Sequence, residues 1–253
     1  MPTVIHAQIL ETAPLTATAR DIRLNAPGIA CEAKPGQFVH IKCGDALLRR
    51  PISICGIEGE DMRIVVDDRG AGTAWLCARS KGETLDVLGP LGRGFTIIPG
   101  ERVLLAGGGI GAPPLLYAAS ACECPDAVLG FRNAHAVMLE DDFGKFCGRV
   151  GVCTDDGSYG AHCLADSLVS AALERGSYAR ILACGPHPML ESIAPIARKA
   201  GIPCEVSLEQ RMGCGVGACL VCACKATGAD GQGKMSHVCA DGPVYNAEEV
   251  MWI

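Results

Sequence analysis

Arg102-Val-Leu-Leu-Ala106, then Gly107-Gly-Gly-Ile-Gly111, then Ala112-Pro-Pro-Leu-Leu-Tyr-Ala-Ala-Ser-Ala-Cys122 is the stretch on which the fold turns. A short apolar run ends in a glycine cluster and passes into a helical segment, which predicts strand, tight turn and helix. Pro113 and Pro114 suit a first helical turn, where backbone N–H groups have no intrahelical partner to lose. Further apolar runs follow at 127–131, 149–154, 179–183 and 203–208, with helical patterns at 162–175 and 188–200. Continuous apolar strands alternating with helices predict a parallel sheet covered on both faces. Gly107, Gly108, Gly109 and Gly111 stand where such a sheet receives a nucleotide. They lack the full G-x-G-x-x-G with an acidic residue about twenty positions on, so a ligand-free tight turn is the competing reading. Cys184-Gly185-Pro186, also after an apolar strand, is a second ligand-edge candidate.

Upstream the pattern is different. Residues 1–99 hold short β-rich runs at 4–10, 19–25, 37–43, 52–56, 62–67 and 84–88, separated by Gly, Pro and Asp, with one helical stretch at 72–80. Short strands with turn residues between them predict a small antiparallel barrel. Arg49-Arg50-Pro51-Ile52-Ser53 puts a guanidinium and a hydroxyl on one strand, although an arginine beside a proline is ordinary at a solvated surface. Gly70-Ala-Gly72-Thr73 opens the helical stretch, whose N-terminal N–H groups attract anions. Together, ahead of a nucleotide domain, the two segments suit a pyrophosphate.

Downstream lies Cys214-Gly-Val-Gly-Ala-Cys219-Leu-Val-Cys222, with sixteen residues between Cys222 and Cys239. C-x4-C-x2-C…C is the spacing of a plant-type [2Fe-2S] site. Gly215 and Gly217 let the backbone approach and aim N–H groups at sulfur. Zinc usually asks for two C-x2-C knuckles or a Cys/His mixture, and one knuckle is present. Spacing favours Cys239 over Cys224 as the fourth ligand. The lobe 209–253, with its Gly/Asp-rich stretch 227–233, is too short to bury a core alone, so its metal group is expected to organise it.

Composition narrows the function. A formal net charge of -6 and 4% aromatic residues argue against nucleic-acid binding. No apolar run reaches the length of a membrane span. The opening residues show neither a basic nor an apolar leader region, so a cytoplasmic protein with reduced thiols is expected despite sixteen cysteines. The six histidines are scattered and each reads as structural.

The order of Arg50-Pro51-Ile52-Ser53, Gly70 to Thr73, Gly107 to Gly111 and Cys184-Gly185-Pro186 resembles that of ferredoxin-reductase-like flavoproteins, in which an FAD barrel precedes an NAD(P) domain. The segments Leu208 to Cys214 and Cys239-Ala-Asp-Gly-Pro-Val244 resemble the electron-transfer subunit of type B dihydroorotate dehydrogenase. The resemblance implies an α+β multidomain chain: an antiparallel β-barrel FAD domain over 1–99, a parallel α/β NAD domain over 100–208 and a small C-terminal [2Fe-2S] lobe over 209–253. It implies a circuit in pyrimidine biosynthesis. An FMN-bearing catalytic subunit oxidises dihydroorotate, and electrons pass through the cluster and FAD to NAD+, in a heterotetramer of two copies of each subunit. It places Val65, Val66 and Asp67 along the flavin beside Arg50, Pro51, Ile52, Ser53, Gly72 and Thr73. Asp67 departs from the family, which often has a basic residue there; Arg69 is the available substitute charge, or Asp67 points away. No residue here is expected to touch FMN or dihydroorotate.

Asp155 and Asp156, in Thr154-Asp-Asp-Gly-Ser-Tyr159, suit a ribose and disfavour a 2′-phosphate, which favours NAD over NADP, although the same residues make an ordinary surface turn. Val216, Leu220 and Val221 beside the cysteines are expected to meet a partner. Two other readings stand beside this one: the same reductase module serving a different partner oxidoreductase, and a zinc- or cluster-bearing interaction protein without activity.

Overall fold

The computed structural model describes residues 2–228 and 231–252; Met1, Ile253 and positions 229 and 230 of the Gly/Asp-rich stretch lie outside the described residues. Strands β1 (Thr3–Pro14), β2 (Ala19–Asn25), β3 (Phe38–Ile41), β4 (Arg50–Glu58), β5 (Asp61–Asp67) and β6 (Thr84–Leu91) close a barrel in the order β1-β2-β5-β4-β3-β6. Every pairing in it is antiparallel. Alternate residues point inward, and Ile22, Leu24, Ile41, Ile54, Met62, Ile64 and Val66 fill the interior. β1 runs beyond its apolar stretch because Thr12, Ala13 and Pro14 pair with Ile22, Asp21 and Arg20. A short helix α1 (Pro27–Ala30), absent from the sequence reading, precedes β3, and α2 (Ala71–Cys77) follows β5.

The second unit comprises β7 (Val103–Gly108), α3 (Ala112–Ala121), β8 (Asp126–Phe131), α4 (Glu140–Gly144), β9 (Arg149–Thr154), β10 (Ala161–His162), α5 (Ala165–Arg175), β11 (Arg180–Cys184), α6 (His187–Ala200) and β12 (Cys204–Ser207). The helix expected from 162 begins at Ala165 instead. His162 is held extended by its pairing with Thr154, and its ring packs on the turn at Gly157.

In the last segment β13 (Ala223–Thr227) and β14 (Gly233–His237) form an antiparallel ribbon, and β15 (Val244–Asn246) returns to the large sheet. That sheet has the order β10-β9-β8-β7-β11-β12-β15, parallel except where β15 runs antiparallel to β12. The cysteine lobe is therefore bound to the α/β unit by main-chain hydrogen bonds as well as by packing.

The barrel and the α/β unit share one apolar core, in which Cys55 and Val65 of the barrel are buried with Ala112, Leu115 and Leu116 of α3. A charged clamp reinforces it. Arg63 of β5 lies 2.6 Å from Asp21 of β2 and 2.8 Å from Asp142 of α4. Burial pushes the Asp142 carboxyl up, but hydrogen bonds from Lys145 and Arg63 outweigh it and hold its pKa below the ordinary value. A depressed carboxylate pKa stabilises the fold above the unfolded value and loses that contribution as pH falls through the folded one. Arg63→Met should destabilise the protein by about 2 kcal/mol, the scale of hydrogen bonds to charged groups. Denaturation curves should show this loss at neutral pH and a smaller difference near pH 3.

Candidate cofactor cleft and cluster site

A cleft of about 290 Å³ opens where the three segments meet. Pro51, Ile52 and Ser53 of β4 and Val65 and Asp67 of β5 form its barrel wall, with Arg69 and Thr73 beside them. Ile110, Pro113 and Cys184 of the α/β unit face them, and Ser207, Leu208, Glu209 and Met212 close one end. Val66 is turned away: strand alternation sends its side chain into the barrel core, where it is fully buried.

Arg50 and Gly72, far apart in sequence, are brought into contact. A Cβ on Gly72 would lie 2.7 Å from the Arg50 guanidinium carbon, so the cation rests against the first turn of α2. Thr73 Oγ1 accepts from the Arg69 and Gly70 N–H groups at 2.9 and 3.1 Å, fixing the entry to the helix. Arg49 points elsewhere, bonded to Asp86 at 2.9 Å. Asp67 accepts from Arg69 at 2.5 Å. Burial raises the Asp67 pKa, but hydrogen bonds from Thr18 and Arg69 bring it below the usual carboxylate value. Arg69 thus neutralises the residue that departs from the family pattern.

On the other wall, Gly107 of β7 pairs with Cys184 of β11, so the glycine turn and Cys184-Gly185-Pro186 lie side by side at the carboxyl ends of parallel strands. A Cβ on Gly111 would lie 2.6 Å from the Gly185 nitrogen, and one on Gly108 would lie 2.9 Å from Pro186 Cδ. Close packing alone therefore demands glycine at 108 and 111, whereas Gly109 has open space and φ of 52°. Burial, with Glu209 adding to it, pushes the Cys184 thiol up to about 12, so it meets a ligand as a neutral group. Asp156 is occupied in its own turn, accepting from Ser158 N at 2.9 Å and Ser158 Oγ at 2.6 Å. Asp155 is exposed beside it.

The four cysteines of the lobe meet in two pairs. Cys222 and Cys239 are buried with sulfurs 3.2 Å apart; Cys214 and Cys219 are hydrogen-bonded to one another nearer the surface. The loop curls its N–H groups inward: Val216, Ala218 and Cys219 donate to Cys214 Sγ at 3.4, 3.2 and 3.3 Å, and Gly217 donates to Cys239 Sγ at 3.2 Å. Burial works against a thiolate at Cys214, but these donors outweigh it and bring its pKa down to about 6. Gly215 and Gly217, at φ of 75° and 80°, make the curl possible. Among the described residues no group of three or more His, Cys, Asp or Glu side chains is arranged to hold a single metal ion. Two thiol pairs joined by sulfur-directed N–H groups instead fit a two-iron cluster. Cys224 lies outside the group, its sulfur 3.7 Å from Tyr245 Oη.

His40 reads in the sequence, like the other histidines, as structural, and its position beside the cysteine loop emerges only in the fold. It sits on β3, fully buried, opposite Pro51 of β4, and a Cβ on Gly215 would lie 2.6 Å from its Nδ1. Burial, reinforced by Arg49 and Arg50, lowers its pKa to about 4 against the pull of main-chain groups at Cys214 and Arg49. Neither ring nitrogen has a partner in hydrogen-bond geometry. Glu209 and Met212 were also missed, since only the folded chain shows that they face the cleft.

An antiparallel barrel beside a parallel nucleotide-type sheet, with a cleft between them and a two-pair cysteine lobe, defines a reductase of the ferredoxin-reductase fold carrying an added iron–sulfur lobe. Residues 209–251 match the family described as the iron–sulfur cluster binding domain of dihydroorotate dehydrogenase B. The dihydroorotate dehydrogenase B (NAD(+)) electron transfer subunit of Bacillus caldolyticus is 44% identical over 86% of this chain and 87% of its own length. That of Desulforamulus reducens is 38% identical over the whole of both chains. A solved structure of an NADH-dependent reduced ferredoxin-NADP oxidoreductase, described in terms of flavin-based electron bifurcation, superposes with a TM-score of 0.87 at 28% identity, covering 98% of this chain and 90% of that one. The ferredoxin reductase of carbazole 1,9a-dioxygenase, at 21% identity and a TM-score of 0.68 over 80% of this chain and 67% of its own, shares the fold. The chain belongs to the family of dihydroorotate dehydrogenase B electron transfer subunits.

Gly215→Ala would force a methyl group against the His40 ring at a positive φ. The variant should purify with reduced iron per chain while the barrel remains folded, measured by iron analysis and circular dichroism.

Proposed function

We propose that this chain is the electron transfer subunit of an NAD-linked dihydroorotate dehydrogenase, passing electrons from a catalytic partner to NAD+ in pyrimidine biosynthesis. The observation that carries the reading is the convergence of the cysteine lobe, the flavin-type barrel and the nucleotide-type sheet on one cleft, in a chain related to these subunits along its full length. When bound, the [2Fe-2S] group supplies one-electron transfer and FAD supplies the conversion between single electrons and a two-electron hydride.

Each part of the chain has a task on this reading. Arg50 and the first turn of α2, with Gly72 and Thr73, hold the flavin pyrophosphate, while Pro51, Ile52, Ser53 and Val65 line its ring system. Asp67, neutralised by Arg69, does not repel the phosphates. The strand ends at Gly107 to Gly111 and Cys184 to Pro186 receive the nicotinamide nucleotide across the cleft, and Asp155 favours NAD over NADP. The Cys214/Cys219 pair and the Cys222/Cys239 pair would together hold the [2Fe-2S] group. The first pair lies toward the surface, so the group they would hold has its accessible edge there.

Val216, Leu220 and Val221 surround that outer pair and are 50%, 57% and 58% exposed. Their apolar surface supports a partner docked at the cluster edge, the FMN-bearing subunit that oxidises dihydroorotate, in an assembly of two copies of each chain. No helix among the described residues is long and apolar enough to cross a membrane, and the sixteen unpaired cysteines suit a reducing cytoplasm. A second reading, the same module serving another oxidoreductase, draws on the 28% identical bifurcating neighbour.

Co-purification with the catalytic subunit, followed by an assay of dihydroorotate-dependent NAD+ reduction, separates the two. Turnover supports the first reading; NADH oxidation through a loaded flavin with no response to dihydroorotate supports the second. Arg50→Ala should weaken FAD binding roughly tenfold to a hundredfold, as expected for loss of a charge-assisted hydrogen bond, measured by flavin release. Leu220→Glu should leave both cofactors in place and weaken partner binding at least about tenfold by calorimetry, since a buried unpaired carboxylate opposes docking.

A further inference from the structure

His40 is the one histidine whose ring nitrogens are both buried and unpartnered among the described residues. Imidazole always carries at least one N–H donor, and a buried donor left without an acceptor opposes folding. The ring is nevertheless held in place on two sides. Its main chain is fixed in β3 between two neighbouring strands, opposite Pro51 of β4, within the segment read as flavin-facing, and Leu88 of β6. Gly215 presses on it from the cluster loop, near enough that any side chain at 215 would strike Nδ1. The backbone around the sulfurs already supplies donors from Val216, Gly217, Ala218 and Cys219. The barrel side of the loop contributes an imidazole, and neither of its nitrogens reaches hydrogen-bond geometry with the main-chain groups of Cys214 and Arg49 that lie near it.

We propose that His40 is a positioning residue for the iron–sulfur group: its imidazole N–H hydrogen-bonds the sulfur shell at the Cys214–Gly215 side of the loaded loop, tying the cluster to the flavin-bearing barrel. This rests on the cluster reading given above. A side-chain donor to a cluster sulfur spreads the negative charge of the reduced state and raises the reduction potential. His40 would therefore help set the potential step between cluster and flavin. It would also fix the distance between them, because the same residue is part of the strand that pairs with Pro51.

The deciding measurement is pulsed EPR on the reduced, flavin-loaded full-length protein grown with histidine labelled by nitrogen-15 in the imidazole ring only. The expected result is a weak nitrogen-15 hyperfine coupling to the [2Fe-2S] spin that disappears in His40→Leu and His40→Gln. Redox titration should show the cluster potential lowered in His40→Leu and partly restored by the amide donor of His40→Gln, with flavin content unchanged in both. A normal cluster signal with no imidazole coupling in the wild-type protein would overturn the role of His40 alone, and needs no variant to fold. An unaltered potential in a fully loaded His40→Leu protein would overturn it equally. Absence of any [2Fe-2S] signal after anaerobic reconstitution would overturn the cluster reading as well.

Discussion

Sulfur-directed backbone N–H groups are what the rest of the molecule is arranged to provide. Four thiolates close together repel one another, and a chain can hold them only by turning donors toward them and excluding competing partners. Here the loop 214–219 curls through two positive-φ glycines, so that three of its N–H groups converge on Cys214 and a fourth reaches Cys239. Such a loop has little core of its own. It is secured by the β15 pairing with β12 on one side and by contact with β3 on the other. The lobe is thus attached to both units that form the cleft, and the distance between its cysteines and the cleft becomes a property of the fold.

The cleft follows from the same economy of contacts. Cys55 and Val65 of the barrel and the start of α3 share one apolar core, which fixes how the barrel wall of the cleft faces its α/β wall. Arg63 adds a charged clamp from the barrel to α4. Cys184 shows how burial shapes chemistry: its thiol is held neutral, so it can pack against a ring without acting as a nucleophile. Every other cysteine outside the lobe whose titration is displaced is shifted in the same direction, and these behave as small apolar residues.

The elements written in strong periodicity were legible. The strand 19–25 falls on β2 residue for residue, and the alternating strands and helices of the second unit stand where apolar runs met glycine turns. The pairings of β10 and β15 were not legible, because two- and three-residue strands have no periodicity and are defined by the neighbour they join. The α4 helix was missed for a similar reason: five residues rich in acid resemble a solvated loop until Asp142 meets Arg63. At the site, the cysteines singled out by their spacing are those that meet as two pairs, Cys214 with Cys219 and Cys222 with Cys239. Val66, which the resemblance places along the flavin, instead turns its side chain into the barrel core because residues alternate along β5. His40 carried no local signal, since its meaning depends on Gly215, far away in the chain.

Anaerobic titration of the purified, cofactor-loaded chain with NADH, followed by visible absorption and low-temperature EPR, tests the central claim most directly. The account predicts that flavin bleaching is accompanied, without any partner subunit, by the EPR signal of a reduced [2Fe-2S] cluster, because both sites are joined within one fold. A flavin that NADH reduces fully while the cluster stays oxidised, although chemical reductants reduce it readily, would contradict that account.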